Sequence, residues 1–331
     1  MNRSRTDIRD LQRILHTFST FAPLYGDRLA NHLPMAATAL WQLGGDAATI
    51  ERFCRNYASR LLRRPESSAV GEGIEAPKFG APQYFEHNAV FFKAQIETSS
   101  TDAVLRQWVP RLLPGLSASA FHGLIRTAYA VEAGSPLEIA DALASWASDY
   151  VEFGKPLLEQ PRASHEIIQE LVTHFGSPRN YPGIIIDKMI AVSKDAYFAD
   201  GFPLPENLSI NEIRATVLGL YELCDDFTLL HAVTATHAMR VLLPFVDSKA
   251  ACGFLWQGLL LAIATVADVI VRNAQNTPAG PASAGWDEIV QRSVLSMDDH
   301  VIKLVYTAVE ESALADEEGY RRIAARKVKL T

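Results

Sequence analysis

The chain has 331 residues, 48% of them apolar and 21% charged, the composition of a globular protein with a large core. Its net charge of −7 gives no electrostatic support to a nucleic-acid role, and the basic tail from Arg321 to Lys329 reads as a solvated helix end. Three cysteines, Cys54, Cys224 and Cys252, lie far apart without CxxC spacing, which argues against a disulfide framework or a cysteine zinc site. The first residues, Met1-Asn2-Arg3-Ser4-Arg5-Thr6-Asp7, lack an apolar signal core, so the expected location is the cytoplasm.

Helical periodicity runs through the chain. Ile8, Leu11, Ile14, Leu15 and Phe18 recur at three- and four-residue steps, predicting a helix from Asp7 to about Tyr25. Asn31 is placed to cap a second helix to Leu43, ended by Gly44-Gly45. Asp46 caps a third, with Ile50, Phe53, Cys54, Tyr57, Leu61 and Leu62 on one face. Residues 65–81 form a long Gly/Pro/Ser/Glu-rich loop, the kind that serves as a lid. Further helices are predicted over 101–113, 118–132 with Ser117 as cap, and from Ser135-Pro136 to about Phe153. Others follow over 163–175, 183–198, 210–224, 226–243, 249–272, 286–293 and from Ser296 to the end.

Strand alternation is almost absent, and 278–285 reads as a loop, not a domain linker. The expected fold is one compact all-α domain, residues 1–331, with a polar pocket between helices. The apolar run from Ala250 to Ala267 falls short of the roughly 20 residues a membrane span needs and reads as a central core helix.

Several signatures are missing. No GxGxxG follows a strand, so neither a dinucleotide nor a flavin motif is present, and GxxxxGK[ST], HExxH and GxSxG are absent too. Asp225-Asp226 and Asp298-Asp299 lack the third acid of a magnesium-binding DDxx[DE] motif. They read instead as acids at helix N-termini. None of the nine histidines follows a glutamate by three residues, against a ferritin-like di-iron site.

Four histidines stand out because they occupy apolar helical runs: His32, His122, His231 and His300. A buried imidazole needs a partner, since an unsatisfied buried polar group costs about 1–3 kcal/mol. Two readings stand, four separately satisfied core histidines or one shared metal ion. His122, Arg126 and Tyr129 share one helix stripe, as do His231 and Thr234, and as do His300 and Lys303. Arg126 and Tyr129 are candidates to hold substrate or oxygen, or Arg126 pairs with an acid such as Glu132. Trp41, Phe85, Phe91, Phe92, Trp146 and Trp256 are either pocket lining or core.

The local strings resemble the questin oxidase-like family. The most specific is Val109-Pro110-Arg111-Leu112-Leu113-Pro114-Gly115-Leu116 leading into Phe121-His122-Gly123-Leu124-Ile125-Arg126. It is joined by the segment from Glu138 to Ala147, by Asn31-His32-Leu33-Pro34-Met35-Ala36, by Leu230-His231-Ala232-Val233-Thr234, and by Asp299-His300-Val301-Ile302-Lys303-Leu304. The resemblance covers residues 25 to 310. It implies an oxygenase that opens a quinone ring of an anthraquinone-type polyketide by a Baeyer–Villiger-like insertion, usually with NADPH.

By matching motifs it implies a metal site of His32, His122, His231, His300 and Lys303, with His237 behind it. Fungal members carry a further histidine where Met35 stands. The expected metal is non-haem iron, with zinc or copper also compatible with imidazole. Lys303 is expected either as a carboxylated lysine giving an oxygen ligand or as an ammonium paired to an acid. With no dinucleotide motif, NADPH is expected to act indirectly, through a separate reductase, while O2 and an aromatic small molecule are the direct partners. Two other functions fit the same features: a non-catalytic helical binding protein and a metal-dependent hydrolase.

Overall fold

The structure, a computed structural model, describes residues 7–65, 76–160, 162–275 and 284–330. The centre of the expected lid, 66–75, lies outside the described residues.

Side-chain caps open most of the helices. Asp7 accepts from Arg9 N (2.9 Å) ahead of α1 (Ile8–Phe18), and Asp46 accepts from Thr49 N (2.7 Å) ahead of α3 (Ala47–Ala58). Between them, a two-residue hairpin of β1 (Leu24–Tyr25) and β2 (Leu29–Ala30) leads into α2 (Leu33–Gln42). The first helix therefore stops at Phe18, short of the expected end at Tyr25.

α4 (Phe85–Thr98), which the periodicity does not reveal, packs with α5 (Thr101–Leu112) against α7 (Pro136–Ser148). α7 begins as expected, with Ser135 accepting from Glu138 N (3.3 Å) and Pro136 at the first position. Ser117 does not cap a helix starting at Ala118. Ser119, Ala120 and Phe121 all have left-handed φ (49°, 53° and 66°), and α6 (His122–Glu132) begins only at His122.

β3 (Pro156–Gln160) pairs in parallel with β4 (Phe202–Pro205), bracketing α8 (Ser164–Phe175) and α9 (Ile185–Ser193). Next come α10 (Ile210–Cys224) and α11 (Phe227–Leu242), the latter capped by Asp226, which accepts from Thr228 N (2.7 Å).

The expected helix over 249–272 divides at Val266 into α12 (Ser248–Thr265) and α13 (Ala267–Asn273). α12 is long and apolar enough to cross a membrane, yet 72% of it is buried, packed against α8, α9 and α11. α14 (Trp286–Val294), α15 (Asp299–Ser312) and α16 (Glu317–Lys327) complete one helical domain. α2, α6, α11 and α15 contact one another at its centre.

Candidate metal centre

The four singled-out histidines sit at the N-terminal ends of those four central helices. His32 is the N-cap of α2, His122 the first residue of α6, His231 the fifth of α11 and His300 the second of α15. Packing the helix starts together brings the rings into a closed circuit. Ring centroids are 4.5 Å apart for His32–His122, 5.0 Å for His122–His231, 5.4 Å for His231–His300 and 4.8 Å for His300–His32.

Each imidazole is anchored through Nδ1. His32 Nδ1 lies 2.5 Å and His300 Nδ1 3.1 Å from the same oxygen, Oδ2 of Asp299. His231 Nδ1 donates to the Phe227 carbonyl (2.8 Å), one turn back, and His122 Nδ1 donates to the Ser119 carbonyl. Burial, with the Lys303 cation and the neighbouring imidazoles, pushes His32, His122 and His300 well below the ordinary histidine range. His231 falls to about 4, from burial first and then Lys303. A neutral ring has one proton, and an acceptor at Nδ1 fixes it there, leaving Nε2 as a bare lone pair.

The consequence is unusual. His32 Nε2 and His122 Nε2 face each other at 2.6 Å. His300 Nε2 is buried without a hydrogen-bond partner among the described residues. Two bare lone pairs held this close repel unless a proton joins them or a cation beside them takes both as ligands. An outer ring of oxygens gripping Nδ1, with Nε2 turned inward, is how proteins orient metal-binding histidines. The donor set therefore fits a metal ion.

Asp299 is the site residue that sequence reasoning missed. It was read as a helix-dipole acid, and Asp298 does fill that role, accepting from His300 N (2.8 Å) as the cap of α15. Asp299 instead turns inward and is buried, and His32, Asp299 and His300 offer ligand atoms within 4.8 Å of one another. The signal was the Asp-His dyad followed by Lys303 one turn on.

Lys303 is also buried. Its Nζ lies 3.1 Å from His32 Nδ1 and 3.8 Å from Asp299 Oδ2, on the Nδ1 side of the ring, whereas His122 lies on the Nε2 side. This is the ion-paired arrangement. Burial lowers its pKa to about 8 against the pull of Asp299 and Asp298.

Arg126 and Tyr129 do not reach the cluster. They share the His122 stripe, but the rise of a helix carries them about 6 and 10 Å down its axis, into the core. Arg126 Nε is bound to Glu138 (2.6 Å), not to Glu132, and Tyr129 packs on Tyr306 with ring centroids 5.6 Å apart. His237 does not back the site either. It belongs to a separate buried network, with Nδ1 2.8 Å from Glu311 and Nε2 3.5 Å from Glu132.

A cavity of about 370 Å³ opens over the histidines, within the usual range for ligand pockets. Its walls are Leu29, Ala30, Ile184, Ile185, Ile186 and Phe227, with Tyr25, Arg28 and Lys188 also lining it. The Phe227 ring lies 4.7 Å from both His231 and His300. The six aromatics singled out from the sequence are core, all buried and none lining this cavity.

An all-α domain with a circuit of four neutral imidazoles beneath an apolar cleft defines a class of helical protein built around a candidate metal centre. The family model described as Questin oxidase-like matches residues 29–220 and 223–308, and the chain belongs to that family. The family's description is that of an oxidoreductase. No curated protein matches the chain.

Proposed function

We propose that this chain is a metal-dependent oxygenase that opens the ring of a quinone- or hydroquinone-type aromatic, with iron as its metal. The closed circuit of four buried imidazoles, with His300 Nε2 unpartnered among the described residues, is the observation that carries the reading, because it supplies a convergent nitrogen donor set for a cation. His32, His122, His231 and His300 would hold the ion through Nε2. When bound, iron supplies the activation of O2 that an aromatic ring cannot bring about alone.

The residues of the chain do the rest. Asp299 holds two of the imidazoles in the ligand tautomer, and the Ser119 and Phe227 carbonyls hold the other two. Phe227 and the Ile184–Ile186 wall give a planar ring an apolar surface and keep water from it. Four helix N-termini converge on the site, and their dipoles favour an anion such as a phenolate beside the metal. Lys188 in the cavity wall adds to that field. The reducing equivalents that NADPH supplies enter through a separate reductase, which delivers the substrate as a hydroquinone.

Lys303 serves first as the counter-charge of Asp299. A pKa of about 8 leaves part of it as neutral amine near neutrality, the form that takes up carbon dioxide. A carbamate resonance after incubation of loaded protein with 13C-bicarbonate would identify the carboxylated lysine. No resonance above the Lys303→Met background would leave it an ammonium.

Metal analysis of protein prepared under argon, then oxygen uptake with a hydroquinone and anthraquinone panel, tests the whole reading. Iron bound near one per chain, with substrate-dependent uptake, is expected. Protein that neither holds nor takes up Fe(II) would be a helical binding protein. Metal-loaded protein that cleaves esters without consuming oxygen would be a hydrolase.

A further inference from the structure

The cavity over the histidines has a neighbour. A second chamber, of about 170 Å³, is walled by Pro82, Ser148, Asp149 and Ile190 among others. It shares Arg28, Ser119, Ile184 and Ile186 with the first. Four common wall residues make these the two chambers of a single cleft. One ends on imidazoles and the other on a carboxyl group, that of Asp149.

Nothing in the fold calls for an acid there. Asp149 ends α7, its backbone N–H bonded to the Ser145 carbonyl (2.9 Å), so its carboxylate meets the negative end of the helix dipole. Desolvation raises its pKa to about 6, against the opposing influence of the nearby Ser119 hydroxyl and the distant pull of Arg126. Arg126 acts only through space, being bound to Glu138, and Arg28, the other cation lining the chamber, is bound to Asp187 (2.7 Å). A half-buried carboxyl with no ion-pair partner among the described residues, opening into a cavity, is better suited to a ligand than to stability.

Ser119 couples the two chambers. Its carbonyl anchors His122, and the residue lines both cavities.

We propose that Asp149 is a substrate-recognition residue that accepts a hydrogen bond from a phenolic hydroxyl on the far end of a polycyclic aromatic whose reacting ring lies over the histidines. This rests on the aromatic-substrate reading above, but it needs neither metal nor turnover. It selects for linear or fused ring systems hydroxylated at the end remote from the site of oxidation, and against single-ring phenols, which fill one chamber only.

The test is equilibrium binding to chelator-treated full-length chain, by quenching of tryptophan fluorescence. The probes are 2,6-dihydroxyanthraquinone and its dimethyl ether, with wild type, Asp149→Ala and Asp149→Asn. Wild type should prefer the dihydroxy probe by roughly tenfold or more, the scale of a hydrogen bond to a charged acceptor. Asp149→Ala should erase that preference while leaving the ether's affinity within about twofold, and Asp149→Asn, which keeps an acceptor oxygen, should fall between. Removing an unpaired half-buried acid should not lower the melting temperature; if Asp149→Ala fails to fold, the near-isosteric Asn variant decides.

An unchanged preference in the variants overturns the subsite and leaves the oxygenase reading standing. Wild type that binds neither probe overturns the subsite together with the aromatic-substrate reading. Normal probe selectivity in a chain that, prepared without chelator, neither holds nor takes up Fe(II) overturns the oxygenase reading alone.

Discussion

Replacing Asp299 with asparagine separates the two tasks of one oxygen. Oδ2 lies 2.5 Å from His32 Nδ1, 3.1 Å from His300 Nδ1 and 3.8 Å from Lys303 Nζ. Both imidazoles bond that one oxygen, so an amide gives the pair at best a weaker, neutral acceptor and at worst an NH2 group, and Lys303 loses its counter-ion. Removing an outer partner of ligating histidines typically lowers metal affinity about 10–100-fold, or ~1.4–2.7 kcal/mol. The loss of folding stability has a ceiling. An uncompensated buried charge would cost about 3–5 kcal/mol. Lys303, though, already stands at about 8 and can shed its proton near neutrality. Deprotonation from that value costs about 1.4 kcal/mol per pH unit, so the expected destabilisation is about 1–2 kcal/mol. For a chain of this length that lowers the melting temperature by roughly 2–3 °C. Co(II) titration followed by visible absorption, with thermal melts of the metal-free protein, reads both numbers. A variant that binds Co(II) as wild type does, within about twofold, would refute the claim that Asp299 sets the tautomers.

Other perturbations follow from the same geometry. Burial disfavours the charged form of His237, but Glu132 and Glu311 outweigh it and raise its pKa to about 9. Its stabilisation is therefore complete below the unfolded value near 6.5 and is lost as pH rises through 9, on the order of 3 kcal/mol in all. Between pH 7 and 10 the urea midpoint of wild type should fall further than that of His237→Gln; parallel curves would remove His237 from the account.

Arg126→Met strands the buried Glu138 and should destabilise the protein by about 3–5 kcal/mol while the folded fraction still binds Co(II) normally. A stable variant with impaired probe binding would restore Arg126 as a substrate contact. Ala120→Gly relieves a left-handed residue and should raise stability by up to about 1 kcal/mol, and a clear loss would mean that the backbone there is not strained.

Much of the fold could be read from side-chain periodicity and caps. Asp46, Ser135-Pro136 and Asp226 each start a helix where expected, and the helix over 210–224 falls at its predicted bounds. α4 was hidden because its buried face is not apolar throughout. Phe85, Asn88, Ala89 and Phe92 share that face, so the stripe carries a polar residue, while the apolar Val90 is exposed. At the site, sequence could name the imidazoles but not the depth of their neighbours. Arg126 and Tyr129 have the right angular spacing and the wrong height. His237, six residues past His231, lies about 9 Å along α11 and joins other partners. Asp299 was masked by its position, since an acid in the first turn of a helix already has a sufficient explanation.

The segment least legible in the sequence is the one on which the site depends most. Had residues 118–121 formed the expected α-helix, the Ser119 carbonyl would have bonded the Gly123 amide, leaving His122 Nδ1 without an acceptor. Three consecutive left-handed residues turn that carbonyl onto the imidazole, against about 1–2 kcal/mol of strain each. Packing holds the turn in place. Phe121 is buried against Gly258, where an added Cβ would sit 2.7 Å from the ring, and Gly123 lets α6 lie directly on Trp146, where a Cβ would sit 2.5 Å away. Burial of Phe121 returns about 1.5–3 kcal/mol, less than the strain at the upper end of its range. The bond from His122 Nδ1 to the Ser119 carbonyl contributes further. Backbone strain persists where the surroundings over-determine it, typically at a functional site. Here it holds one residue against both chambers of the cleft.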